Sequence, residues 1–344
     1  MGGAVTLMKE NSMTSQEQGR TLDCHAHYVS PLAVKAARDH PEHYGVRVAT
    51  VPAGERIDLP GEAPARPLAA DLLDLSRRGE KLTGFTGQVA GTWMDVTGYR
   101  LSPELGVRWS ELLNDSFAED LNNWSGPMRF SALANVPMQD ATAAARELER
   151  AVSRHGFRGA MIATNIAGAN LDEPRFDQFW QQAQELNVPV VLHPFAVIGP
   201  DRLERFYLNN AIGNPTDTTI AAGSLIFGGV LDRFPDLQII LMHGGGFLPY
   251  QYGRFDAAHE VRPEPKSNGA GMPRDYLRRF LFDSIVFSPQ VLRYLIETVG
   301  ADRVVLGTDY PFDMGDYRAL QRLAESGIDD AAQKTVREGA AVKI

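Results

Sequence analysis

Four short segments of this chain each run through apolar residues into a side chain that can ligate a metal or move a proton. They are Thr21-Leu-Asp-Cys-His-Ala-His27, Val188-Pro-Val-Val-Leu-His193-Pro, Leu237-Gln-Ile-Ile-Leu-Met-His243-Gly-Gly-Gly and Arg303-Val-Val-Leu-Gly-Thr-Asp309-Tyr-Pro. His25 and His27 are two apart, so on a strand they point to one face. Two imidazoles facing one interior repel when protonated and are costly when unpaired, and a metal resolves both problems. An isolated His-x-His reads more simply as a hydrogen-bonded pair, but here three similar strand ends follow it. Asp309 closes an apolar strand, where a carboxylate stays ionised only if it is paired or metal-bound. Three or four N and O ligands converging from separate strands, with no cysteine among them, suit a catalytic Zn²⁺ that keeps an open position.

Other chemistry-bearing residues read more plainly. Cys24 alternates with the two histidines, faces the opposite side and belongs to the core. His40, His43, His155 and His259 fall in loops or helices and default to surface or packing roles. Gly244-Gly-Gly246 lacks the lysine of a P-loop and the spacing of a dinucleotide fingerprint. It reads as a tight strand-to-helix turn that leaves room beside His243.

Positioning four strand-end residues together needs a parallel sheet. Strand patterns fall near 21–26, 129–136, 158–164, 188–193, 237–243, 279–285 and 303–308, with a weaker, more polar one near 81–89. Helical periodicity is present over Leu68–Arg78, Glu104–Asn123, Asp140–His155, Pro174–Leu186, Thr218–Phe234, Pro289–Val299 and Asp316–Glu325. Such β–α alternation implies parallel pairing, and eight strands favour a closed (β/α)8 barrel with its site at the strand ends. The Pro- and Gly-rich stretch 39–67 reads as a long insertion after the first strand. Residues 1–19 are polar and read as a disordered leader, leaving 20–344 as one barrel domain.

The chain has 344 residues, 44% hydrophobic and 22% charged, with a formal charge of −9. That charge argues against a general nucleic-acid surface, and an anionic substrate would need local arginines. One cysteine excludes an intrachain disulfide and fits a reducing, cytoplasmic compartment. No apolar run reaches the ~18 residues of a membrane span.

The set Asp23-x-His25-x-His27, His193-Pro, His243-Gly-Gly-Gly and Gly307-Thr-Asp309-Tyr-Pro-Phe312 resembles the amidohydrolase superfamily. More narrowly, it is similar to the aminocarboxymuconate semialdehyde decarboxylase branch. The likeness extends from about Asp23 to Arg318 and includes Asn135-Val-Pro-Met-Gln-Asp140, Asp232-Arg-Phe-Pro235 and Phe282-Asp-Ser-Ile-Val-Phe-Ser-Pro289. It implies one Zn²⁺ held by His25, His27, His193 and Asp309, with His243 and Asp309 catalytic. No bridging Lys or Glu stands in Gly159-Ala-Met-Ile-Ala-Thr-Asn165, which favours a single metal. The resemblance further implies a homodimer in which Arg254 reaches a neighbour's site to bind a substrate carboxylate. A second arginine is expected from Arg47, Arg56 or Arg66. Phe206 stands for a tryptophan of the family, and Trp93 joins it among the substrate-binding residues.

The reaction implied is non-oxidative decarboxylation of a small unsaturated or aromatic carboxylic acid by metal-bound hydroxide, which forms near neutral pH. Hydrolysis of an amide, lactone or ring-cleavage product by the same hydroxide is the alternative. A non-catalytic binding protein on a barrel scaffold is disfavoured, because all five site positions are intact.

Overall fold

The computed structural model describes residues 20–268 and 271–339, so the leader expected at 1–19 lies outside the described residues. Among the described residues there are ten strands: β1 Leu22–Tyr28, β2 Arg47–Val51, β3 Gly54–Asp58, β4 Gly87–Thr92, β5 Arg129–Ala132, β6 Ala160–Ala163, β7 Val190–His193, β8 Ile239–Leu241, β9 Phe280–Asp283 and β10 Val304–Val305. All but β2 and β3 pair in parallel, in two arcs, β1-β4-β5 and β6-β7-β8-β9-β10. Parallel bridges Ala134–Ala160 and Ala26–Tyr310 join the arcs. Backbone bonds continue through both seams, for example Ala134 N–H to the Gly159 carbonyl and His27 N–H to the Tyr310 carbonyl, each at 2.8 Å. The ring is a closed eight-stranded barrel.

The strands read as apolar because helices cover them outside and side chains fill the interior. Every residue of β1, β4 and β6 to β10 is buried. The weak pattern at 81–89 is a composite: residues 78–81 are helical and the strand begins only at Gly87. The helix expected at Leu68–Arg78 is broken into Ala70–Leu73, a 3-10 turn Leu75–Arg77 and Arg78–Lys81. Asp74 breaks it by taking an extended conformation and accepting a bond from the Ser76 N–H, a side-chain alternative to the helix ladder. Likewise Thr218–Phe234 is two helices, Asn214–Phe227 and Val230–Arg233, parted at Gly228-Gly229. The helices Pro31–Asp39 and Leu248–Val261 were not foreseen.

The stretch 39–67, without a clear period in sequence, contains the antiparallel hairpin β2–β3. Only Ile57 of the hairpin is buried, so alternation is faint. A second apolar core that includes Val34, Ile57, Leu59, Leu72, Trp93 and Trp109 holds this region against the barrel. Among the described residues, no helix is long and apolar enough to cross a membrane.

Candidate metal centre

His25 and His27 project inward from β1, His193 ends β7, and His243 and Asp309 follow β8 and β10. All five meet at the mouth where the strands end, although Asp309 lies 284 positions beyond His25. Asp309 Oδ1 lies 3.3 Å from His25 Nε2, 3.1 Å from His27 Nε2 and 3.9 Å from His193 Nε2. One ligand atom from each of these four residues falls within 4.8 Å of every other. Ligand atoms around an ion bonded at about 2.0–2.2 Å sit roughly 3–4 Å apart, so the donor set fits a single divalent ion. Asp309 Oδ2 faces His243 Nε2 at 3.4 Å, placing His243 beside the cluster on the second carboxylate oxygen.

Two hydrogen bonds prepare the imidazoles for ligation. His193 Nδ1 lies 2.9 Å from the Pro194 carbonyl, which can only accept, so the ring proton sits on Nδ1. Nε2 is then a bare lone pair, buried without a hydrogen-bond partner. His25 Nδ1 meets Asp283 Oδ2 at 2.6 Å, both side chains fully buried. Carboxylates and carbonyls behind ligating histidines fix tautomer and ring orientation in this way. Asp283 Oδ1 also accepts from the N–H groups of Gly244 at 2.6 Å and Ile285 at 3.1 Å. One carboxylate thus ties His25 of β1 to the loop that carries His243.

The electrostatics follow from burial against charge. Burial alone would depress His25, but the charge of Asp309 and the hydrogen bond to Asp283 push it up to about 10. Burial lowers His27 and takes His193 down to about 3. It would raise Asp309, yet the charge of His25 and the imidazoles around it hold that carboxyl well below its usual range. His25 is thus set between two carboxylates, Asp309 and Asp283, that favour its protonated form.

The local backbone is unusual where the chemistry is. His243 and Asp309 have φ of 55° and 57°, a left-handed conformation that is strained for residues with a Cβ. Gly244, Gly245 and Gly246 also have positive φ. A Cβ on Gly244 would lie 2.3 Å from Val286 Cγ1, and one on Gly246 would lie 2.2 Å from the Pro215 carbonyl oxygen. The glycine run is a close-packed turn, as read from sequence.

Above the cluster opens a cavity of about 650 Å³ that reaches His193 and Asp309. Of the three arginines considered in the insertion, only Arg66 lines it. Arg47 and Arg56 pair with Asp58 on the hairpin instead. The Arg66 guanidinium lies 5.2 Å from the Trp93 ring and 4.9 Å from the Phe312 ring, and its Nε donates to Asp95 at 3.3 Å. Phe312 in turn lies 5.2 Å from the His27 ring, so aromatic contacts run from the cluster to Arg66. Arg100 also lines the cavity. Trp93 lines it, whereas Phe206 is 77% exposed and does not; its neighbour Tyr207 does. Arg254 is exposed on the helix Leu248–Val261 and is not part of the cavity of its own chain. Sequence reasoning missed Asp283, although an acid ending the apolar run Phe280–Asp283 is the same signal that marked Asp309.

A closed parallel barrel with buried histidines and an aspartate at its strand-end mouth is a barrel whose donor set suits a divalent metal. The chain belongs to the amidohydrolase family, whose profile matches residues 22–344. Within it, the chain falls in the branch of aminocarboxymuconate semialdehyde decarboxylase. It is 34% identical over 230 residues to the 2-amino-3-carboxymuconate-6-semialdehyde decarboxylase of Dictyostelium discoideum, a match covering 67% of this chain and 64% of that protein. It is 35% identical over 241 residues to the gamma-resorcylate decarboxylase of Polaromonas sp., covering 66% of this chain and 72% of the relative. The matched span is thus just under two thirds of the Dictyostelium relative's own length. Among solved structures, 5-carboxyvanillate decarboxylase from Sphingomonas paucimobilis superposes with a TM-score of 0.79 at 25% identity, over 94% of this chain and 99% of that one. The dihydroxybenzoic acid decarboxylase of Polaromonas sp., crystallised with manganese and 2-nitroresorcinol, has the same fold, with a TM-score of 0.74 at 24% identity over 94% and 96% of the two chains.

Proposed function

We propose that this protein is a metal-dependent, non-oxidative decarboxylase of a small aromatic or unsaturated carboxylic acid. The observation that carries the reading is the His25, His27, His193 and Asp309 cluster at the floor of a cavity whose wall presents Arg66. The relatives' names, three kinds of carboxylic acid decarboxylase, support the same reaction.

We assign the four clustered residues to one divalent ion. Three imidazole nitrogens and one carboxylate oxygen suit zinc, and manganese is the rival that a related structure suggests. When bound, the ion supplies Lewis acidity, polarising oxygen atoms at the cavity floor. Arg66 has donors to spare beyond its bond to Asp95 and can orient a carboxylate by its planar fork. Trp93 and Phe312 flank that guanidinium and offer flat apolar surface to a ring. The bond between the carboxyl carbon and the substrate breaks, its electron pair stays on the substrate carbon, and that carbon takes a proton. We assign delivery of that proton to His243, whose side chain is partly exposed beside the cluster and lies 3.4 Å from Asp309 Oδ2. Imidazole exchanges protons in the working range of such an enzyme.

We further propose a homodimer in which exposed Arg254 completes a neighbour's site. Arg254→Ala and His193→Ala proteins would then regain activity when their subunits exchange, and exchange without activity would confine Arg254 to its own chain. The buried cysteine, free of any disulfide, fits a cytoplasmic enzyme. The primary test is CO₂ release from carboxylated phenols and muconate-like acids by protein loaded with Zn²⁺ or Mn²⁺. A new carboxylate without CO₂ would make the protein a hydrolase.

A further inference from the structure

The cavity holds a carboxyl group that the reaction above does not use. Leu59-Pro60-Gly61-Glu62 forms a tight turn in which the Glu62 N–H donates to the Leu59 carbonyl at 3.2 Å. Proline second and glycine third, with Gly61 at φ 73°, is the type II arrangement. Leu59 is buried in the apolar core beneath the insertion, so the turn has a fixed base. Glu62 thereby lines the cavity, with only 9% of its side chain exposed.

Its carboxylate has one long contact with a protein cation. The nearest cation is Arg100, with Nε 3.9 Å from Oε2, beyond hydrogen-bonding range. No described residue donates a hydrogen bond to the Glu62 side chain. Asp95, on the same wall, differs in that Arg66 donates to it. A carboxylate can accept about four hydrogen bonds, and the Glu62 oxygens, which are not sealed from the cavity, present that capacity to whatever fills it. Burial raises the Glu62 pKa, the charge of Arg100 offsets part of that rise, and the nearby charge of Asp95 adds to it. An N–H or O–H group entering the cavity would supply what the protein does not.

We propose that Glu62 is a specificity-determining residue that accepts a hydrogen bond from a substrate donor, an amino or hydroxyl group, on the cavity wall built by the insertion. The preferred substrate is then an acid whose carboxylate engages the ion and arginines and whose ring or chain carries such a donor. The inference rests on the decarboxylase reading for the carboxylate, and on Glu62 alone for the donor.

The test uses the full-length, metal-loaded protein and pairs of nearly equal shape: 3- and 4-aminobenzoate against 3- and 4-methylbenzoate, with binding followed by calorimetry. At least one amino isomer should bind about ten-fold or more tightly than its methyl twin, the effect expected of a hydrogen bond to a charged group. Glu62→Leu should erase that preference by weakening only the amino compound, whereas Glu62→Gln, which keeps an acceptor oxygen, should retain part of it. Equal binding of the twins by the native protein, or an unchanged preference in folded Glu62→Leu, overturns the assignment and leaves Glu62 as a rim partner of Arg100. Failure of all four compounds to bind overturns it too. CO₂ release from dihydroxybenzoates on the same samples separates the two readings. Preference without CO₂ removes the decarboxylase and keeps the subsite; CO₂ without preference removes the subsite alone.

Discussion

Replacing Asp283 with asparagine tests how the metal centre is prepared. Asp283 is fully buried; Oδ2 accepts from His25 Nδ1 at 2.6 Å, while Oδ1 accepts the backbone N–H groups of Gly244 and Ile285. Asparagine has the same shape, and its carbonyl oxygen can keep the two backbone bonds. Its NH₂ then faces His25 Nδ1. Either two donors oppose each other in a buried space, or the imidazole proton moves to Nε2 and blocks the lone pair meant for the ion. The negative charge behind the ligand is lost in both cases. Losing such a supporting partner typically weakens metal binding roughly 10- to 100-fold, or about 1.4–2.7 kcal/mol, and the tautomer conflict places Asp283→Asn toward the upper end. Because the Gly244 anchor survives, turnover per bound ion should fall less than occupancy. Competition against a chromophoric chelator measures the affinity, and circular dichroism with thermal unfolding checks the fold. A folded Asp283→Asn protein that binds the ion within about three-fold of the native affinity would refute the reasoning.

Three further outcomes are expected. His243→Ala should keep the ion and lose on the order of 10²–10⁴ in turnover; metal content falling in step with activity would make His243 a ligand. Loading the ion at neutral pH should release about one proton, because His25 titrates near 10 and must shed its proton to ligate, while His27 and His193 are already neutral. The sign is that affinity rises with pH until His25 deprotonates by itself, and calorimetry in buffers of different ionisation enthalpy that found no release would contradict it. Arg66→Ala should raise KM for the carboxylate substrate by about ten-fold or more without removing the ion, and an unchanged KM would take Arg66 out of substrate binding.

The barrel was legible because its strands are buried on both faces and so are written as apolar runs, each ending in a turn. His25, His27, His193, His243 and Asp309 stood out for a thermodynamic reason: polar groups ending such strands need partners, and the sequence supplied none nearby. Where local side chains competed with the helix ladder, as at Asp74, or a Gly-Gly pair intervened, as at 228–229, periodicity ran across a break it could not register. The hairpin at 47–58 was faint for another reason. Half-exposed strands carry little alternation.

Residue types and spacing by themselves determined the barrel with its parallel sheet and marked the five polar strand ends as one candidate site, since each of those is set by what must be buried and what may not be buried alone. The division into four ligands and His243 came from the family resemblance. Only the folded chain decided which partners serve the site. Asp283 lies 258 positions from His25, and Arg66 was one of three similar arginines until Asp58 engaged the other two. Glu62 became a group of interest only when a turn placed its carboxyl in the cavity without a donor. Hydrogen bonds and cavity walls act over about 3 Å in space and leave no period along the chain, so they are fixed by closure of the barrel and the docking of its insertion.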